Sequence, residues 1–208
     1  MPEVMKGIYN IDLSEEGRLS LEAYLLDCGE GVVLVDTGMQ PRDVDRIGAV
    51  LGEMGKEWGD IGLVFITHKH GDHINNLAKV KELTGASVMA GEGDITDIEK
   101  ATGVKIDRGL KHGDQLEPCG IEVIHVPGHS EGNLCLYLPG YKAIIAGDTV
   151  FGDEEGNLQP PPERYCLDVE MAEREIRRLL SYDFDALLIS HGKNILKNAK
   201  SKVEALCG

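Results

Sequence analysis

Basic residues, paired cysteines and long apolar runs are scarce in this chain of 208 residues. Against 36 Asp and Glu there are 21 Lys and Arg, a net charge of -15, and the basic residues are interspersed with acidic ones along the chain. A field of that sign repels phosphate backbones, so nucleic acid is not an expected partner. No apolar run approaches the roughly 18 residues of a membrane span, so no membrane partner is expected either. Met1-Pro2-Glu3 opens without a basic or apolar leader, which makes the cytoplasm the expected location. The five cysteines, Cys28, Cys119, Cys135, Cys166 and Cys207, are odd in number, scattered and free of any C-x-x-C pair. That pattern argues against a disulfide framework and a thiolate zinc site, and reads as packing.

What remains is ordinary globular composition, 42% apolar and 27% charged. The length suits one core, so one domain over 1–208 is expected. Short β-rich runs recur at Leu21 to Leu26, Val32 to Asp36, Leu63 to Thr67, Ser87 to Ala90, Ile121 to Val126, Leu134 to Leu138, Ala143 to Ala146 and Ala186 to Ser190. Four stripes of helical period lie between or after them: Val44 to Met54; Leu77, Val80 and Leu83, stopped by Gly85; Val169 to Leu180; and Ile195 to Leu206. Helices spread through both halves of a strand-rich chain predict two packed sheets with helices outside.

Histidine is also scarce, seven in all, yet three crowd into Thr67-His68-Lys69-His70-Gly71-Asp72-His73, directly after the apolar run Leu63-Val64-Phe65-Ile66. In an extended segment His68 and His70 share a side, and a turn at Gly71 brings Asp72 and His73 round to a second position. That is ligand spacing for two adjacent metals. His129, Asp148 and His191 each follow another strand run, and strand ends on one rim converge. Imidazole with carboxylate is a donor set suited to zinc, with iron and manganese as alternatives.

Gly128-His129-Ser130-Glu131-Gly132 also reads as the G-x-S-x-G of serine hydrolases. A nucleophile elbow needs a strand running into the serine and a helix leaving it. Pro127 precedes this pentapeptide, and Asn133 to Leu138 alternates like a strand. Ser130, Asp148 and His191 do occur in the order of a hydrolase triad, which keeps a serine hydrolase as an alternative. It leaves His68, His70 and His73 without a purpose.

THKHGDH, VPGHSEGN, AGDTVF and SHGKNI, in this order and spacing, resemble the metal motifs of the metallo-β-lactamase-fold hydrolase superfamily. AYLLDCGEGVVLVDTG is similar to the strand pair with which that fold enters its Asp-Thr-Gly turn. The resemblance covers about residues 5 to 205 and implies an α+β, four-layer αββα sandwich of two mixed sheets. It implies that one metal is held by His68, His70 and His129 and the other by Asp72, His73 and His191, with Asp148 bridging and Asp72 and Asp148 as the catalytic acids. Two such cations would supply hydroxide near neutral pH. Asp36 is expected to accept hydrogen bonds from a ligand imidazole or loop amides, and His125 to stand beside the metal loop or pack in the core. His112 reads as an exposed turn residue.

Retention of the bridging Asp148 resembles the glyoxalase II and lactonase branch. It implies attack on small ester, thioester or lactone bonds, with a small-molecule substrate, rather than antibiotic hydrolysis. About 17 residues follow His191, whereas the C-terminal helical region of that branch binds glutathione, so a glutathione thioester is less expected. A mononuclear iron enzyme resembling the persulfide dioxygenases is the alternative. Flavin-partnered reductases exchange ligand imidazoles for carboxylates and are disfavoured. The insert from Phe151 to Tyr165, stiffened by Pro160, Pro161 and Pro162, is expected to wall the substrate pocket. Tyr165 and Arg164 are its candidate donors to a developing oxyanion, and Lys193 of SHGKNI is a further candidate substrate contact.

Overall fold

Val32–Val35 is buried along its whole length, and its residues alternate between two different cores. A strand with no solvated face must be covered on both sides. In the computed structural model, which describes residues 3–153 and 155–208, one side is covered by helices and the other by a second sheet. Met1 and Pro2, on which the reading of the amino terminus partly rests, lie outside the described residues.

The first sheet runs in chain order: β1 (Glu3–Met5), β2 (Ile8–Asp12), β3 (Glu22–Asp27), β4 (Val32–Val35), β5 (Ile61–Ile66), β6 (Ser87–Gly91) and β7 (Arg108–Leu110). It is an antiparallel meander up to β4 and parallel from β4 to β7. The second sheet contains β8 (Gln115–Leu116), β9 (Ile121–His125), β10 (Leu134–Leu138) and β11 (Ala143–Ile145). Between β11 and the last strand of that sheet, β12 (Phe151–Gly152) and β13 (Leu158–Gln159) form a separate hairpin. The last strand, β14 (Ala186–Leu188), lies parallel to β11 at the sheet edge.

Side-chain alternation sorts the apolar residues into three layers of core. Ala23, Leu25, Val32, Leu34, Val64 and Ile66 face the helices α1 (Pro41–Glu53) and α3 (Leu77–Thr84), whose Ile47, Leu51, Leu77 and Val80 they meet. Their neighbours Tyr24, Leu26, Val33, Val35, Leu63 and Phe65 meet Val123, Leu136, Ile145 and Leu188 between the sheets. Ile124, Cys135, Ile144 and Leu187 face outward to α5 (Val169–Glu175), the 3-10 turn Ile176–Ser181 and α6 (Ala199–Cys207). This is the expected four-layer αββα arrangement. Among the described residues no helix is long and apolar enough to cross a membrane.

Local signals explain most boundaries. Pro41 opens α1 behind a Gln40 and Asp43 capping box. Gly85, in the left-handed region at φ 66°, closes α3 by donating to the Lys81 carbonyl. Two expectations are corrected, and one helix was not expected. The fourth stripe becomes helical only at Ala199, because Ile195 pairs with Leu187 and Leu196 is exposed. The short helix α4 (Ile95–Thr102) buries only Ile98, too little for a periodic stripe. Cys28 and Cys119 are not separate packing thiols but a disulfide. Cys28 follows β3 and Cys119 precedes β9, so the pairing comes from sheet packing across 91 residues, which no local spacing reports.

Candidate metal centre

Four strands of the two sheets, β5, β9, β11 and β14, end at one rim, and each delivers part of a single cluster. His68 lies two residues beyond β5, and His70 precedes the one-turn helix α2 (Gly71–Ile74), which carries Asp72 and His73. His129 sits in the loop from β9 to β10, Asp148 in a 3-10 turn after β11, and His191 just past β14. The Leu134 amide donates to the Thr67 carbonyl across the sheets and fixes the rim.

Seven side chains meet there in two groups. Ligand-type atoms of His68, His70, His129 and Asp148 all lie within 4.8 Å of one another, and so do those of Asp72, His73 and His191. Asp148 touches both: Oδ2 lies 3.3 Å from His129 Nε2 and 3.3 Å from His191 Nε2, while Oδ1 lies 3.2 Å from His73 Nε2.

The outer partners decide which nitrogens face inward. Thr67 Oγ1 donates to Asp36 Oδ2 at 2.7 Å and therefore accepts from His68 Nδ1 at 3.0 Å. His73 Nδ1 donates to Asp36 Oδ2 at 2.7 Å, His191 Nδ1 to the Ser20 carbonyl, and His129 Nδ1 faces Cys166 Sγ at 3.8 Å. With the Nδ1 protons directed outward, four imidazoles present Nε2 lone pairs to the centre. His70 presents Nδ1, 3.1 Å from His68 Nε2, and His129 Nε2 is 3.2 Å from the same atom.

Lone pairs aimed at one another and at two carboxylates require a cation. His73 Nε2 and Asp148 Oδ1 are buried without a hydrogen-bond partner, a costly state unless a positive charge lies between them. Separations of 3.1 and 3.2 Å come close to the roughly 3.3 Å ligand edge of a tetrahedron about a metal roughly 2.0 Å from nitrogen. The residues thus fit divalent metal ions. Titration follows the same geometry. Burial, then the neighbouring imidazoles, holds His70 down to about 4 and His68 well below its ordinary value. Burial also opposes protonation of His191, but the carboxylates of Asp148 and Asp72 outweigh it and push this imidazole up to about 10.

The supports are built around buried carboxylates. Asp36 stands at φ 65° at the end of β4, where Oδ1 accepts the Thr67 amide at 2.8 Å. Thr37 Oγ1 donates to the His73 carbonyl at 2.8 Å. Asp94, which the sequence reading missed, is fully buried and accepts from the Lys69 amide at 3.0 Å, Ser130 Oγ at 2.5 Å and the Gly132 amide at 2.9 Å. It clips the His68–His70 segment to the His129 loop. Its sequence context, Gly91-Glu92-Gly93-Asp94 before a short helix, looks like a plain helix start. Ser130 is buried as the donor in this clip, as a loop residue rather than an exposed nucleophile.

A cavity of about 960 Å³ opens on His70, Asp72, His129, Asp148 and His191. Tyr165 and Arg164 line it, with the Arg164 guanidinium 4.6 Å above the Tyr165 ring. One expectation is corrected. Lys193 lines a separate cavity with Ser20, Glu22 and Asn194, not the one that opens on Asp148. His125 stands beside the metal loop: it belongs to neither ligand group, and Nε2 bonds the Glu131 carbonyl of that loop at 2.8 Å. His112 is exposed, as expected.

Residues 18–191 match the family model of the metallo-beta-lactamase superfamily. The chain belongs to that superfamily. Curated relatives of this superfamily member include the hydroxyacylglutathione hydrolase of Brucella ovis, 32% identical over 152 residues, covering 69% of this chain and 56% of the relative. The hydroxyacylglutathione hydrolase of Rhizobium meliloti is 38% identical over 97 residues, covering 46% of this chain and 36% of the relative. The chain thus spans about half the length, or less, of these relatives. Among solved structures, the metallo-beta-lactamase family protein TTHA1429 of Thermus thermophilus superposes with a TM-score of 0.77 at 20% identity, covering 98% of this chain and 79% of that one. TTHA1623 in a di-iron-bound form gives 0.72 at 25% identity, covering 93% and 96%.

Proposed function

We propose that this metallo-beta-lactamase superfamily chain is a dinuclear, metal-dependent hydrolase of small ester, thioester or lactone bonds. The observation that carries the reading is Asp148, a buried carboxylate within 3.3 Å of imidazoles from both groups. His68, His70 and His129 would hold one cation and Asp72, His73 and His191 the other, with zinc favoured by the donor set. Bound there, two divalent cations would polarise the acyl oxygen and bring the pKa of a water toward neutrality. Hydrolysis then joins the water oxygen to the acyl carbon and breaks its bond to sulfur or oxygen, and the leaving group takes up a proton.

The remaining work belongs to the chain's own side chains. Asp36, Thr67, Ser20 and Cys166 fix the imidazole orientations, which places the lone pairs before any ion arrives. Asp72, partly solvent-accessible on the cavity wall, would receive or return a proton during hydrolysis. Tyr165 and Arg164, which line the same cavity, would supply further donors to the substrate.

Elemental analysis of the purified protein and of Asp148→Ala tests this reading, followed by a panel of lactones and thioesters. About two equivalents of metal in the parent, a clear loss in the variant and turnover of the panel are the expected results. One equivalent of iron with oxygen uptake on a persulfide would replace it with the dioxygenase reading.

A further inference from the structure

Five large apolar side chains are exposed among the described residues: Leu19, Met39, Tyr165, Leu167 and Leu196, between 37% and 62% accessible. All but Leu196 line the single cavity that opens on Asp148. Single exposed apolar residues are normal on any surface, but a set gathered round one cavity marks a binding surface. The four come from three separate segments, before β3, after β4 and after β13, so no shared element explains their meeting.

The apolar lining continues inward. Leu13 and Leu21 form part of the wall, and Phe151 stacks on His191 with ring centroids 4.7 Å apart. At about 960 Å³ the cavity has the volume of a drug-sized ligand site, far more than a two-carbon acyl group fills. On a chain of net charge -15, a pocket with this much apolar rim selects for substrate hydrocarbon.

We propose that the Leu19, Met39, Tyr165 and Leu167 rim is an acyl-chain subsite, so that the preferred substrate is an ester or thioester of a medium-length aliphatic acid. This rests on the hydrolase reading above. Water adds to the acyl carbon and the bond to sulfur or oxygen breaks; the leaving thiol or alcohol takes up one of the two water protons, and the other passes to solvent as the fatty acid leaves as its carboxylate. Arg164, which forms no ion pair among the described residues, sits beside Tyr165 and provides the cation that would hold the departing carboxylate.

The test measures kcat/KM for acetyl, butanoyl, hexanoyl and octanoyl thioesters of one small thiol with the metal-loaded protein. A fully buried methylene contributes about 0.8 kcal/mol, about fourfold in rate constant, so a rise of about two- to fourfold per methylene is expected at this half-exposed rim. The ratio of octanoyl to acetyl kcat/KM should fall by about tenfold or more in Leu19→Ser/Leu167→Ser. In Leu196→Ser, away from the cavity, the ratio should stay as in the parent. A flat series with turnover intact overturns the subsite and leaves the hydrolase reading standing, whereas no turnover of any member overturns both. A flat series accompanied by a dimer in light scattering that the double variant abolishes would assign the rim to a second copy of the chain. If the double variant does not fold, the parent series decides alone.

Discussion

Asp36 Oδ2 holds His73 Nδ1 at 2.7 Å, and on the far side of the same ring Nε2 faces Asp148 Oδ1 at 3.2 Å. One carboxylate therefore sets the tautomer through which the second meets the cluster. Asp36 achieves this from a left-handed backbone, φ 65°, a conformation that Asp and Asn tolerate better than other side chains.

The Asp36→Asn variant separates charge from shape. Asn keeps the volume and accepts the left-handed backbone, but it removes the charge that makes the His73 imidazole a firm donor and a stronger base. Metal affinity, read by competition with a chelator of known strength, should drop about 10- to 100-fold. The melting temperature of the metal-free protein should move much less. Parent-like retention of both ions would show that Asp36 is only a turn residue.

Ser130 distinguishes the two chemistries that the pentapeptide allows. Its hydroxyl is one of three donors to the buried Asp94 carboxylate. Ser130→Ala leaves that carboxylate short of a partner, at a cost of about 1 to 3 kcal/mol in unfolding free energy. Metal content should stay as in the parent, and the rate within several-fold. Near-complete loss of turnover with both metals still bound would restore the serine as nucleophile.

The legible part of the site is the part written in short contiguous segments. THKHGDH places four ligand-type side chains within one strand exit and one turn, and the other three follow strands whose apolar runs were equally plain. Asp94 escaped because its partners are two amides and a hydroxyl on distant loops, a relation that exists only after the sheets pack. Lys193 looked like a site residue because it is two positions from His191, yet beyond the turn at Gly192, φ 119°, it lines a different cavity together with Ser20 and Glu22. The short strands β1, β7 and β8 span two or three residues each, too few for alternation to register.

The Cys28–Cys119 disulfide is another relation of this kind, and its position predicts what breaking it does. Asp27, next to Cys28, pairs with Val32 at the start of β4, the end of the sheet away from Asp36. Replacing both cysteines by Ala should lower the unfolding free energy by about 2 to 4 kcal/mol in denaturant titrations. Metal stoichiometry should be unchanged, because the bond lies at the end opposite the ligand rim. Loss of metal in that variant would mean that the two ends of the sandwich are mechanically coupled.

Glu22 gives the fold a pH dependence separable from that of the metal cluster. It opens β3 against Asn10, whose Nδ2 donates to Oε2 at 2.8 Å. Burial pushes its carboxyl up to about 7; the Asn10 bond opposes the shift and the Asp12 charge adds to it. The folded chain thus binds this proton more tightly than the unfolded chain, whose carboxyl titrates near 4.5. By linkage the stabilising contribution is full below about 4.5, falls as pH rises through about 7 and is absent above it. Glu22→Gln keeps an acceptor for Asn10 and cannot ionise. The stability of the variant relative to the parent should therefore increase between pH 4.5 and pH 8, while every other titrating group cancels in the comparison. A gap that stays constant across that range would show that Glu22 titrates as a solvated carboxylate in the folded chain.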